Sequence, residues 1–247
     1  VAGVVKGVNA LPEIVRVFEK SGVKFIATSR VDQLRAIRSY GFVTKPLMLI
    51  RIPMLSELAD VVALSDISLQ SDITVLRALN EEAKKQNRTH EVILMMDLGD
   101  LREGFWNEED AIDAALEIER ELTNLKLSGV GVNLSCYGSV KPNTRNMQAL
   151  VSLAADIERE IGRRLDYISG GASTSLYMAV NGTMPYRINL LRIGDMALRG
   201  ETDGFAPGFL HKDVFTIKAE VIECREKPSF PVGELTVNAF GEVGQYE

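Results

Sequence analysis

Short apolar runs alternate with longer stretches that carry a helical stripe along most of the chain. Ala2–Lys6 is apolar and strand-like. Leu11–Ser21 then places Ile14, Val15 and Phe18 at helical spacing, with Pro12 suited to a first turn and Gly22 to a stop. The same rhythm predicts further strands over Lys24–Thr28, Pro46–Ile50, Val61–Leu64, Val92–Met96, Gly129–Leu134, Tyr167–Ser169 and Leu190–Ile193. The helices it predicts are Val31–Tyr40, Met54–Leu58, Ile73–Gln86, Glu108–Asn124, Thr144–Arg163 and Ser173–Val180. Strands and helices in this order point to an α/β fold, a closed (β/α)8 TIM-type barrel, with a doubly wound open sheet as the competing arrangement. After Gly200 the helical period stops. Val214–Cys224 and Leu235–Phe240 read as strands on either side of Lys227-Pro-Ser-Phe-Pro-Val-Gly233. The expected division is therefore a barrel over residues 1–200 and the start of a β-rich C-terminal domain over residues 201–247. The chain begins without Met inside a strand-like run, and it reads as part of a longer protein.

Composition narrows the function classes. Of 247 residues, 46% are hydrophobic and 25% charged, and the net charge is −6. No basic patch or aromatic–basic interleaving is present, which argues against a nucleic-acid partner. No apolar run reaches the roughly 18 residues that a membrane helix needs. The histidines are His90 and His211, far apart and outside any metal-ligand spacing, so no metal site is expected. Cys136 and Cys224 have no CxxC partner and read as reduced thiols of a cytoplasmic protein.

In a barrel of this kind, chemistry gathers where the strands end at their C-termini. Lys6 closes the first strand, where an ammonium leaving an apolar run is partly desolvated and is a candidate Schiff-base amine; an ordinary surface lysine is the plain alternative. Ser169-Gly-Gly-Ala-Ser173-Thr174 follows the seventh strand and offers backbone N–H groups and hydroxyls to a phosphate, or simply a helix cap. Arg192 ends the eighth strand among Leu and Ile, so its guanidinium must find an acceptor, either a ligand or a structural ion pair. Gly194 behind it lets backbone approach an anion.

Four segments together resemble a known family. Val4-Val-Lys6, Asp97-(x)4-Arg102-x-Gly104, Ser-Gly-Gly-Ala-Ser173 and Leu191-Arg192-Ile-Gly194 stand in the order and strand positions of the alanine racemase superfamily of fold-type III pyridoxal-phosphate enzymes. Leu98-Gly-Asp-Leu-Arg-Glu-Gly104 and Gly131-Val-Asn-Leu-Ser-Cys136-Tyr-Gly138 are most similar to its ornithine racemase-like branch. The resemblance implies pyridoxal 5'-phosphate as cofactor, an amino acid as substrate and a homodimer. It implies that Lys6 anchors the cofactor and carries one of two protons, that Arg192 faces the pyridine nitrogen, and that Ser173, Thr174, Gly194 and Asp195 cradle the phosphate. Arg102 would meet the phenolic oxygen or the substrate carboxylate, with Asn133 also in the cofactor site. The sequence departs from the alanine racemase pattern at Ala10, where a tyrosine is usual, at Met95, where a lysine is usual, and at Asn133, where a histidine is usual. Those changes argue against alanine as the substrate.

Racemisation needs a proton carrier on each face of Cα. Cys136 is the internal candidate for the second, a small buried residue being the alternative. Asp100 and Glu103 are candidates for the distal ammonium of ornithine or lysine. The expected activity is a pyridoxal-phosphate-dependent racemase of a basic amino acid. The alternatives are a non-catalytic carrier of the same cofactor, or a decarboxylase or aldolase on the same barrel.

Overall fold

The computed structural model describes residues 1–244. Eight parallel strands close into a barrel in sequence order, β1 (Ala2–Val4), β2 (Phe25–Thr28), β3 (Leu47–Leu49), β4 (Ile67–Gln70), β5 (His90–Met96), β6 (Leu125–Val132), β7 (Tyr167–Ala172) and β8 (Leu190–Ile193), with β8 pairing back onto β1. The helices around it are α1 (Pro12–Lys20), α2 (Val31–Ser39), α3 (Leu58–Leu64), α4 (Ile73–Lys85), α5 (Glu108–Arg120), α6 (Thr144–Ile161), α7 (Leu176–Val180) and α8 (Asp195–Arg199). This is the α/β barrel that the alternation predicted, and closure excludes the open sheet.

The two faces of each strand bury different layers. Ala2, Val4, Phe25, Ala27, Met48, Ile67, Leu69, Ile93, Met95 and Leu190 fill the interior. The residues between them, such as Leu47, Leu49, Val92, Leu94 and Val130, turn outward onto Leu34, Leu76, Leu79, Leu150 and Ile157 of the helices. Both faces are covered, so the strands read as apolar runs. Local signals set the helix ends. Asn143 caps α6 by accepting the N–H groups of Arg145 at 2.9 Å and Asn146 at 3.1 Å. Gly162, at φ 72°, ends the same helix.

One strand lies elsewhere than expected. Val61–Leu64 belongs to α3, and the fourth strand is Ile67–Gln70. Leu58, Val61 and Val62 are the buried positions of α3, a helical stripe inside a short apolar run, which periodicity alone does not separate from a strand. The real strand is disguised by Ser68 and Gln70. Both are fully buried on the outward face, where Gln70 donates to Ser68 Oγ at 2.8 Å and Ser68 Oγ lies 2.9 Å from His90 Nε2.

The chain divides into two compact units, Val1–Phe215 and Thr216–Glu247. The strands expected over Val214–Cys224 and Leu235–Phe240 do not form; the described residues of the second unit hold a single antiparallel bridge between Val237 and Val243. Their side chains favour extended backbone, but a strand is stable only against a neighbouring strand and a covered face.

Candidate active site

The C-terminal ends of the strands open onto a cavity of about 280 Å³. Lys6, Arg102, Cys136, Ser173, Arg192 and Gly194 line it, and they come from five different strand ends. It adjoins a second cavity of about 540 Å³ through Ser135, Thr174, Thr202 and Asp203.

Arg192 forms the floor. It follows Leu190 by two residues and so points into the barrel, where it is 3% exposed. Its Nη1 donates to Ser169 Oγ at 2.5 Å, and its Nη2 donates to the Val132 carbonyl at 2.9 Å and to Asn133 Oδ1. Burial pushes its pKa down to about 10, opposed by the Glu103 carboxylate, which leaves it charged at neutral pH. Three of its five N–H donors are thereby engaged.

The segment after β5 works as a strap. Asp97 Oδ1 accepts the N–H groups of Gly99 at 2.9 Å and Leu101 at 3.1 Å, folding the segment on itself. Phe105 then donates to the Met95 carbonyl at 2.8 Å, returning the chain to the strand it left. Gly104, at φ 146°, makes this possible, because a Cβ there would sit 2.2 Å from the Asp97 nitrogen. Asp100 is fully buried and ties the strap to the loop after β6. Its carboxylate accepts N–H groups from Cys136 at 3.1 Å, Tyr137 at 2.9 Å and Val140 at 2.8 Å. Of the two residues that follow Leu101, Arg102 lines the cavity and Glu103 is turned inward beside it. Arg102 donates to Cys136 Sγ at 3.0 Å and pairs through Nε with Glu103 Oε2 at 2.9 Å; Glu103 also accepts a hydrogen bond from Asn133 Nδ2.

Next to β6, β7 and β8 end together. Ser173 Oγ accepts the N–H groups of Gly194 at 3.2 Å and Met196 at 3.1 Å, which leaves the hydroxyl proton to donate to an anion. Gly194 packs directly on β1, where a Cβ would meet that of Val4 at 2.9 Å.

A family model described as alanine racemase, N-terminal domain, matches residues 1–201. The chain belongs to the alanine racemase N-terminal domain family. Among the relatives of this family, an ornithine racemase from Acetoanaerobium sticklandii is 41% identical over 246 residues, covering 99% of this chain and 69% of that protein. A lysine racemase from Thermotoga maritima is 33% identical, covering 98% of this chain and 67% of that protein. The fold resembles an alanine racemase from Clostridium difficile 630 in complex with cycloserine, at TM-score 0.69 and 18% identity over 88% of this chain; the match spans 58% of that structure. It also resembles PipY from Synechococcus elongatus PCC7942 with PLP bound, at TM-score 0.64 and 18% identity, covering 78% of this chain and 89% of that one.

The sequence-predicted residues of this alanine racemase-type barrel, Asp100 and Glu103 excepted, line one cavity, with several corrections of detail. β1 ends at Val4, and Lys6 opens a 3₁₀ turn (Lys6–Val8) that lifts it clear of the sheet, so it is exposed rather than partly desolvated. Cys136 is exposed, not a buried packing residue. Among the described residues no carboxylate bonds to Arg192, which is held by neutral acceptors. Asp100, expected on a substrate ammonium, has its carboxylate engaged by three backbone N–H groups. Glu103, expected there too, is turned inward, its side chain 14% exposed. Thr174 donates to the Leu134 carbonyl at 3.3 Å, and Asp195 is exposed and pairs with Arg199 at 3.4 Å. Sequence reasoning missed Ser169 as the partner of Arg192, and it missed Thr202 and Asp203. Asp203-Gly204 is a turn signature, both residues having positive φ between the mutually bonded Thr202 and Phe205, and it was legible. Among the described residues, no group of His, Cys, Asp and Glu is arranged to hold a metal ion.

Proposed function

We propose that this chain provides the pyridoxal 5'-phosphate site of a racemase acting on a free basic amino acid, ornithine or lysine. The observation that carries the reading is the pairing of the free Lys6 amine at the rim with the buried, charged Arg192 guanidinium at the floor of one cavity. The two relatives named for ornithine and lysine support the substrate class.

The donor set fits the cofactor. An amine stands ready for its aldehyde, a permanent N–H donor for its ring nitrogen, and a hydroxyl with a free proton beside Gly194 for its phosphate. The bound cofactor supplies an electron sink that makes the Cα proton removable. Lys6 anchors it and holds a proton at one face of Cα. Cys136, which lines the same cavity, carries the second proton. Arg192 stays protonated and would hold the ring nitrogen by donating to it, a contact that would favour an unprotonated ring. Ser173 and Thr174, with the backbone at Gly194 and Asp195, meet the phosphate; Arg102 meets the phenolic oxygen or the substrate carboxylate, beside Asn133. The exposed apolar side chains of Leu101, Trp106 and Tyr137 suit a homodimer. The unpaired cysteines suit the cytoplasm. Among the described residues, no helix is long and apolar enough to cross a membrane.

The test is chemical. Borohydride reduction of the cofactor-loaded protein should fix a phosphopyridoxyl group on the Lys6 peptide, read by mass spectrometry, and chiral chromatography should show inversion of L-ornithine or L-lysine ahead of L-alanine. Absence of the labelled peptide would sink the reading.

A further inference from the structure

We propose that Glu103 is a positioning residue that sets both arginines of the site and does not bind substrate. This rests on the cofactor reading above. Arg102, Glu103, Asn133, Arg192 and Ser169 form one continuous polar chain across the cavity floor. Arg102 Nε meets Glu103 Oε2 at 2.9 Å, Asn133 Nδ2 donates to Glu103 Oε1, Asn133 Oδ1 accepts from Arg192 Nη2, and Arg192 Nη1 donates to Ser169. The direction of every link is forced. A guanidinium only donates and a carboxylate only accepts, so the Asn133 amide must turn its oxygen to Arg192 and its nitrogen to Glu103.

The charges point the same way. Two guanidinium groups share one wall, and Arg192 is 3% exposed. Asp97 and Asp100 belong to the same strap, but their carboxylates are taken by backbone N–H groups. Asp195 pairs with Arg199, and Met95 beneath the wall is fully buried and apolar. Asp203 also lines the cavity but is exposed, whereas Glu103 is turned inward and meets the wall directly at Arg102 and through Asn133 at Arg192. The desolvation of Arg192 makes that countercharge count, since an unbalanced buried cation is costly. Both oxygens of Glu103 are engaged from within the chain and its side chain is 14% exposed, so it presents little surface to a substrate ammonium.

The test uses the full protein loaded with pyridoxal phosphate, comparing wild type with Glu103→Gln, Asn133→Ala and the double variant. Loss of the charge should shift the circular dichroism and absorption of the bound cofactor and lower kcat on ornithine on the order of 10²-fold, with KM changed less than about threefold, the scale expected of a misplaced catalytic group. Glu103→Asp, a conservative variant, should recover part of kcat. The spectral shifts of Glu103→Gln and Asn133→Ala should not add in the double variant, because both act along one chain. A large rise in KM for ornithine with kcat and cofactor spectrum unchanged would make Glu103 a substrate ligand and overturn the proposal. So would additive spectral shifts. A wild type that does not load the cofactor would instead overturn the functional reading itself.

Discussion

At the floor of the cavity, Arg192 is 3% exposed, and its hydrogen bonds run to Ser169, Val132 and Asn133 of the same chain. At the rim, Lys6 and Cys136 are exposed, and among the described residues the Lys6 ammonium makes no hydrogen bond or ion pair. The contrast separates two kinds of functional residue. Floor groups are fixed by folding, because a buried donor left unmatched costs stability whether or not a ligand is present. Rim groups are solvated: Lys6 would gain a partner from a ligand, and the Cys136 thiol holds an exposed hydrogen bond from Arg102. Rim substitutions should therefore remove chemistry and spare the fold, and floor substitutions should damage both.

The largest effect is expected at the rim. Lys6→Ala should eliminate the borohydride-fixed label and lower racemisation by more than about 10³-fold, a loss typical of a removed covalent group. Its thermal midpoint should stay within a degree or two of wild type, as for surface changes generally. A large fall in that midpoint would break the comparison. Arg192→Ala should do the opposite as well as the same, abolishing activity and costing on the order of 3 kcal/mol in denaturant unfolding, since Asn133 and Ser169 lose a buried donor. Asp100→Ala should cost about 2 kcal/mol by stripping an acceptor from three backbone N–H groups, and should lower kcat through the displaced Cys136 loop. Cys136→Ala should keep cofactor binding and stability while racemisation falls about 10²-fold, and full activity would remove it as proton carrier.

The smallest effect on the site, though not on stability, belongs to His90 at the far end of β5. Burial pushes its pKa down from 6.5 to about 4. The unfolded chain therefore takes up a proton that the native chain refuses between those values. Stability present above pH 6.5 is lost as pH falls toward 4, by roughly 3 kcal/mol in all. Thermal unfolding across that window should show the slope, and His90→Gln should flatten it without changing the cofactor spectrum at pH 7.

Much of the barrel was legible because strands covered on both faces leave apolar runs, and Leu190–Ile193 was read to the residue. The fourth strand was not, because Ser68 and Gln70 are polar on a face where a buried network receives them. Lys6, Arg192 and Ser173 were legible as strand-end residues. The Arg102–Glu103–Asn133–Arg192 chain was not, because it depends on the register that sets Met95 beside Gly131 and Met96 beside Val132, and no spacing within one segment reports that. Lys6 was misjudged in its environment for a similar reason: where a strand stops decides whether the next residue is buried, and β1 stops two residues early.

The strap after β5 leaves its strand at Met96 and rejoins the backbone of Met95 at Phe105, so its two ends are pinned to neighbouring residues of one strand. Its length is therefore as constrained as its composition. An insertion of one residue between Gly99 and Gly104 would carry Arg102 and Glu103 past the wall they serve, whereas an insertion after Trp106, at the exposed start of α5, would leave them in place. In this barrel, tolerance to changes of loop length should be lowest where the loop closes on itself.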